Sequence, residues 1–199
     1  MRSYLNTCSS VFSVKRVILV HRWDGSPDAD WYPWLKEELE EQGVGVVIPE
    51  MPDPERPEIT SWVSFLQKQK FKIDKDTYFI GHSVGCQTIL RYLAALPAAH
   101  IGGCLFVGGW FTLNLETNEE REIAGPWMTT PLDFDKVKKM GPIVALFSDD
   151  DPFVPLENKK TFEQKLGART IVEHQQGHFN DSTAPAVLRE LQKLLKGKR

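Results

Sequence analysis

Along the chain, short runs of apolar and β-branched residues alternate with stretches whose apolar residues recur every three or four positions. The first run, 16–21, holds Val17, Ile18, Leu19 and Val20 and ends at the turn-prone Asp24-Gly25-Ser26-Pro27. Residues 31–41 then place Trp31, Trp34, Leu35 and Leu39 at helical spacing, and Gly43 stops that helix. Further strands are predicted over 44–48, 77–80, 102–107, 143–147 and 170–173. Helices are predicted around Trp62, Val63, Phe65 and Leu66, and over 88–95, 157–166 and 186–195. Six short strands alternating with helices predict an α/β domain, with a parallel sheet buried on both faces and right-handed crossovers. Reactive groups in such a sheet belong beyond the carboxyl ends of its strands. The interval 111–140 has no strand, carries Glu116, Glu119, Glu120 and Glu122, and is expected to form a short lid. Residues 1–14 are expected to be a frayed extension before a single domain over 15–199.

Composition narrows the function. Of 199 residues, 41% are hydrophobic and 26% charged, as in an ordinary globular domain and unlike disordered or fibrous chains. A net charge of -3 offers no bulk positive field for a phosphate backbone, so no nucleic-acid partner is expected. No apolar stretch approaches the ~20 residues of a membrane span. Cys8, Cys86 and Cys104 are odd in number and scattered, which argues against disulfides or a zinc site and for reduced thiols in a cytoplasmic setting. The histidines and acids show no metal-ligand spacing, so neither metal nor cofactor is expected.

Gly81-His82-Ser83-Val84-Gly85 matches the G-x-S-x-G nucleophile elbow. Three fixed residues at about 7% each would arise by chance in about one chain of this length in 15. Its place raises its weight: a strand precedes it and a helix follows. A sharp reversal there aims the Ser83 hydroxyl out of the sheet, and two glycines let the turn close. The hydroxyl needs a base. His178, in Gln176-Gly177-His178-Phe179 after the last strand, is better placed than His21, His100 or His174, while His82 is expected to turn into the sheet. The orienting acid is expected after the fifth strand, in Ser148-Asp149-Asp150-Asp151-Pro152-Phe153. Asp151, beside apolar residues, is favoured for that role, with Asp150 as the alternative. The backbone amides of Val84 and of Trp23, or else Arg22, are candidate oxyanion donors. Trp23, Trp110 and Phe153 are candidate pocket walls, while Trp34 and Trp62 fall at core spacing.

The chain resembles the retinoblastoma-binding protein 9/YdeN group of small α/β-hydrolase fold serine hydrolases. The likeness is carried by Trp31-Tyr32-Pro33-Trp34-Leu35-Lys36, Met51-Pro52-Asp53-Pro54, the elbow, Asp150-Asp151-Pro152-Phe153-Val154-Pro155 and Gly177-His178-Phe179. The resemblance implies a three-layer sandwich with strand order 2-1-3-4-5-6, and Ser83, His178 and Asp151 as a triad acting on a small acyl substrate. Arg22 departs from the His-Gly pair of many hydrolases. The Leu-x-Cys-x-Glu pattern of a retinoblastoma-pocket ligand is absent, so that partnership is not implied. The expected activity is ester, thioester or amide hydrolysis through an acyl-enzyme. The alternative is a catalytically silent interaction module presenting Trp23, Trp110, Trp127 and Phe153 as an exposed patch.

Overall fold

The computed structural model describes residues 14–197. The expected N-terminal extension, apart from Val14, and Cys8 lie outside the described residues. Six strands, β1 (Arg16–Val20), β2 (Gly45–Val47), β3 (Thr77–His82), β4 (Gly103–Val107), β5 (Ile143–Ser148) and β6 (Arg169–Glu173), form an open, all-parallel sheet in the order 2-1-3-4-5-6. This is the expected architecture. The connections contain α1 (Tyr32–Glu40), α2 (Ile59–Lys68), α3 (Val84–Ala95), α4 (Asn118–Thr129), α5 (Phe134–Lys138) and α6 (Asn158–Leu166), and α7 (Pro185–Leu195) follows β6.

Because side chains alternate along a strand, each strand feeds two cores. Val17, Leu19, Ile80, Leu105 and Leu146 pack with α1 and α7 on one face. Ile18, Val20, Phe79, Phe106 and Phe147 pack with α2, α3 and α6 on the other. The central strands β3, β4 and β5 are buried along their whole length, which is why they read as unbroken apolar runs. Cys86 and Cys104 are buried and unpaired, and burial pushes both thiols up from their ordinary values.

The bounds of β3 and α3 need correction. Helix α3 begins at Val84, four residues before the predicted start at 88, and β3 runs on to His82. Gly85 hid this start, because glycine is a poor helix former. It is nevertheless required: a Cβ there would stand 2.2 Å from the Val20 carbonyl oxygen, so only glycine lets α3 lie this close to β1. The interval 111–140, expected to form a short lid, contains α4 and α5. Thr117 and Glu120 form a reciprocal capping box at the start of α4, and Ile123, Ala124 and Trp127 are buried. The Arg91 guanidinium of α3 donates to the carbonyls of Trp127, Thr130 and Pro131, capping the end of α4.

Candidate active site

The chain leaves β3 through Ser83, whose φ of 54° and ψ of -119° lie in a region that side chains rarely adopt. That single residue turns the strand directly into α3. A Cβ on Gly81 would stand 2.6 Å from the Cys86 amide nitrogen, so both elbow glycines answer to close approach. Ser83 is thereby held at the carboxyl end of the sheet and lines a cleft of about 450 Å³. Trp23, Leu113, Leu115 and Phe153 give the cleft apolar walls, and Asp24, Asn114, Glu120 and Asn180 a polar rim.

His178 lines the same cleft, in the loop after β6. Its Nδ1 lies 2.7 Å from Asp151 Oδ2, and both side chains are nearly inaccessible, at 8% and 2% exposure. The other oxygen of Asp151 accepts the amides of Phe153 and Val154, at 2.9 and 3.0 Å, which fixes the carboxylate from its own loop. The three adjacent aspartates divide their partners. Asp149 meets His174 Nδ1 and the Gln175 amide, while Asp150 accepts the Ser148 hydroxyl and the Gly177 amide. These bonds hold both carboxyls below their usual range, and the Asp149 carboxylate raises His174. Asp151 is therefore the aspartate that reaches His178, and the other two brace the loop around it.

At the other side of the cleft, Arg22 folds over its own loop. Its guanidinium binds Asp30 at 2.7 and 3.3 Å and donates to the carbonyls of Trp23 and Asp24. The Arg22 amide donates to Tyr32 Oη at 3.2 Å and so is occupied. Among the described residues, the amides of Trp23 and Val84 have no acceptor, which leaves both available as donors. Buried His21 carries its proton on Nδ1, since its partner there is the Arg22 carbonyl; its Nε2 accepts the Met51 amide. Burial lowers this imidazole from its ordinary value.

Trp110 does not line the cleft. It is 1% exposed, its side chain is turned into the core of the α3 face, and its Nε1–H donates to Ser83 Oγ at 3.3 Å. Gln87 holds the Trp110 carbonyl at 2.6 Å. Trp127 is likewise buried, donating to the Pro57 carbonyl, so the exposed patch of four aromatics in the alternative reading does not form. Phe153, half exposed, stands edge-on to the His178 ring. Trp62 is buried and Trp34 partly buried against the α1 face, as their spacing predicts. His82 turns inward as expected. Its contacts with Tyr32 and with the His178 carbonyl were not readable from spacing. Among the described residues no cluster of His, Cys, Asp or Glu is suited to a metal ion, and no helix is long and apolar enough to cross a membrane.

An open parallel sheet in this order, with a serine at the strand–helix turn after β3, defines an α/β-hydrolase. The chain belongs to the serine hydrolase family, whose model matches residues 17–196. It is 30% identical over 167 residues to the putative hydrolase YdeN of Bacillus subtilis (strain 168). It is 28% identical over 167 residues to the serine hydrolase RBBP9 of Rattus norvegicus. Each match covers 83% of this chain and 86% of the relative. The crystal structure of the B. subtilis ydeN product superposes with a TM-score of 0.83 at 26% identity, over 92% of this chain and 100% of that one. The ferulic acid complex of Est1E from Butyrivibrio proteoclasticus shares the fold, with a TM-score of 0.69 at 17% identity over 92% and 89% of the two chains.

Proposed function

We propose that the protein hydrolyses small esters, thioesters or amides through an acyl-enzyme formed on Ser83, with His178 as base and Asp151 as its orienting acid. The observation that carries this is the buried Asp151–His178 pair opening on the same cleft as Ser83. A carboxylate on Nδ1 keeps the proton there and leaves Nε2 bare to accept from the serine. The Trp110 indole donates to one Oγ lone pair, which leaves the hydroxyl proton free to point toward the imidazole. As the carbonyl carbon becomes tetrahedral, its oxygen gains charge and is met by the Val84 and Trp23 amides, the first at a helix N-terminus. His178 then returns the proton to the leaving group, and water repeats the cycle on the acyl-enzyme.

The segment between β4 and β5 acts as a short lid over the cleft in this reading, with Leu113 and Leu115 facing the acyl chain. A cleft of about 450 Å³ suits short or slender acyl groups. On a series of p-nitrophenyl esters, activity is expected to peak at short chains and to fall to background in Ser83→Ala. Turnover by Ser83→Ala at the wild-type rate refutes the nucleophile.

A further inference from the structure

The residues just before and at the start of α1 make contacts that the proposed reaction does not use. Asp30, Trp31 and Tyr32 face Asn180, Phe179 and His178 in reverse order. Asn180 Nδ2 donates to Asp30 at 3.4 Å, and Trp31 Nε1 donates to the Phe179 carbonyl at 2.9 Å. Tyr32 reaches the His178 carbonyl through His82, with 2.6 Å from Oη to Nδ1 and 2.8 Å from Nε2 to the carbonyl oxygen. Trp31, Tyr32 and His82 are all fully buried.

Donor chemistry gives this chain a direction. A carbonyl only accepts, so His82 carries a proton on Nε2. Burial, with His178, Arg22 and His21 nearby, pushes His82 well below its ordinary value despite Asp30 at 3.9 Å, so the ring is neutral and Nδ1 is bare. Nδ1 must then accept from Tyr32 Oη, whose phenol burial raises well above its usual value so that it keeps its proton. Tyr32 Oη in turn accepts the Arg22 amide. The hydrogen-bond path is Arg22 N–H to Tyr32 O–H to His82 Nδ1, then His82 Nε2–H to the His178 carbonyl.

We propose that Tyr32 and His82, with Trp31, are positioning residues that lock the base loop and the oxyanion loop to the strand carrying Ser83. This rests on the reading of Ser83 and His178 given above. The base loop needs such anchoring. Gln175 and Phe179, on either side of Gly177, are non-glycine residues with positive φ, a conformation that persists only when its surroundings over-determine it. The two pinned carbonyls belong to His178 itself and to Phe179, whose amide closes the turn on the Gln176 carbonyl.

Tyr32→Phe keeps the ring and deletes the hydroxyl. It is expected to fold, to lower kcat about tenfold with KM within twofold, and to slow fluorophosphonate labelling of Ser83 in proportion. His82→Gln, which can still donate to the carbonyl, is expected to retain more turnover than His82→Leu. Long-range ¹⁵N–¹H spectra of the wild-type protein report the His82 tautomer independently of any variant, and the neutral Nε2–H form is expected. An Nδ1–H or cationic ring, or Tyr32→Phe at the wild-type rate, overturns the proposal. If wild-type Ser83 takes no label, the hydrolase reading fails instead, and the His82 tautomer with the His178 line width in Tyr32→Phe still decides the anchoring.

Discussion

At Gly108 the backbone turns through a φ of +54° directly against the His178 imidazole. A Cβ there would stand 3.3 Å from His178 Cε1 and 3.6 Å from Asp151 Oδ2. Gly108→Ala is therefore expected to cost about 1–2 kcal/mol from the left-handed backbone and to depress ester turnover more than tenfold by displacing the imidazole. Equal losses of stability and activity across temperature, with normal turnover in the folded fraction, would count against this. The aspartate triplet offers a sharper contrast. Asp151→Asn is expected to lower kcat by about 10³-fold or more with the fold intact, whereas Asp149→Asn, which touches exposed His174, stays within a few-fold. Nothing in the spacing of three consecutive aspartates distinguishes them. Pro152 and the apolar Phe153-Val154 hinted at Asp151, and the two loop amides that fix its carboxylate made the difference.

Between elements, anchoring is set by burial and not by visible ion pairs. Arg56 binds Glu119 and Glu122 on α4, but all three side chains are more than half exposed. Such pairs contribute about 0–1 kcal/mol. Trp127, buried and hydrogen-bonded to Pro57, carries α4 instead. Thermal or urea unfolding is expected to show about 3–5 kcal/mol lost in Trp127→Ala and less than about 1 kcal/mol in Arg56→Ala; the reverse ranking contradicts the packing described. The strands were legible as short β-branched or aromatic runs, clearest in β3, β4 and β5, which are buried along their whole length. Helix α4 is hard to read because Pro126 and three glutamates dilute its apolar stripe, although Thr117-x-x-Glu120 carries the capping signal. The start of α3 is hidden because its glycine answers to the Val20 carbonyl, a contact between distant parts of the chain.

For the molecule as a whole, the alternation of strands and helices already implied a buried parallel sheet, and the family resemblance implied its order. What one-dimensional pattern could not convey is how distant residues converge, as Tyr32, His82 and His178 do across 146 positions. Another convergence makes stability pH-dependent. Glu190 on α7 has a side chain only 2% exposed, and burial alone would raise its carboxyl. Hydrogen bonds from Lys193, Arg169 and Arg189 instead hold it at about 2. A carboxyl lowered from 4.5 in this way stabilises the fold fully above its unfolded value, and that contribution fades as pH falls toward about 2. Urea midpoints between pH 6 and pH 2.5 are expected to fall less steeply in Glu190→Gln than in the wild type; parallel curves would deny Glu190 this part. The proposed chemistry turns on Ser83 as nucleophile. Treating the folded protein with a fluorophosphonate and mapping the adduct by peptide mass spectrometry tests it most directly. One adduct per chain is expected, on Ser83 and absent from Ser83→Ala; an unlabelled wild type, or an adduct that persists in Ser83→Ala, contradicts the assignment.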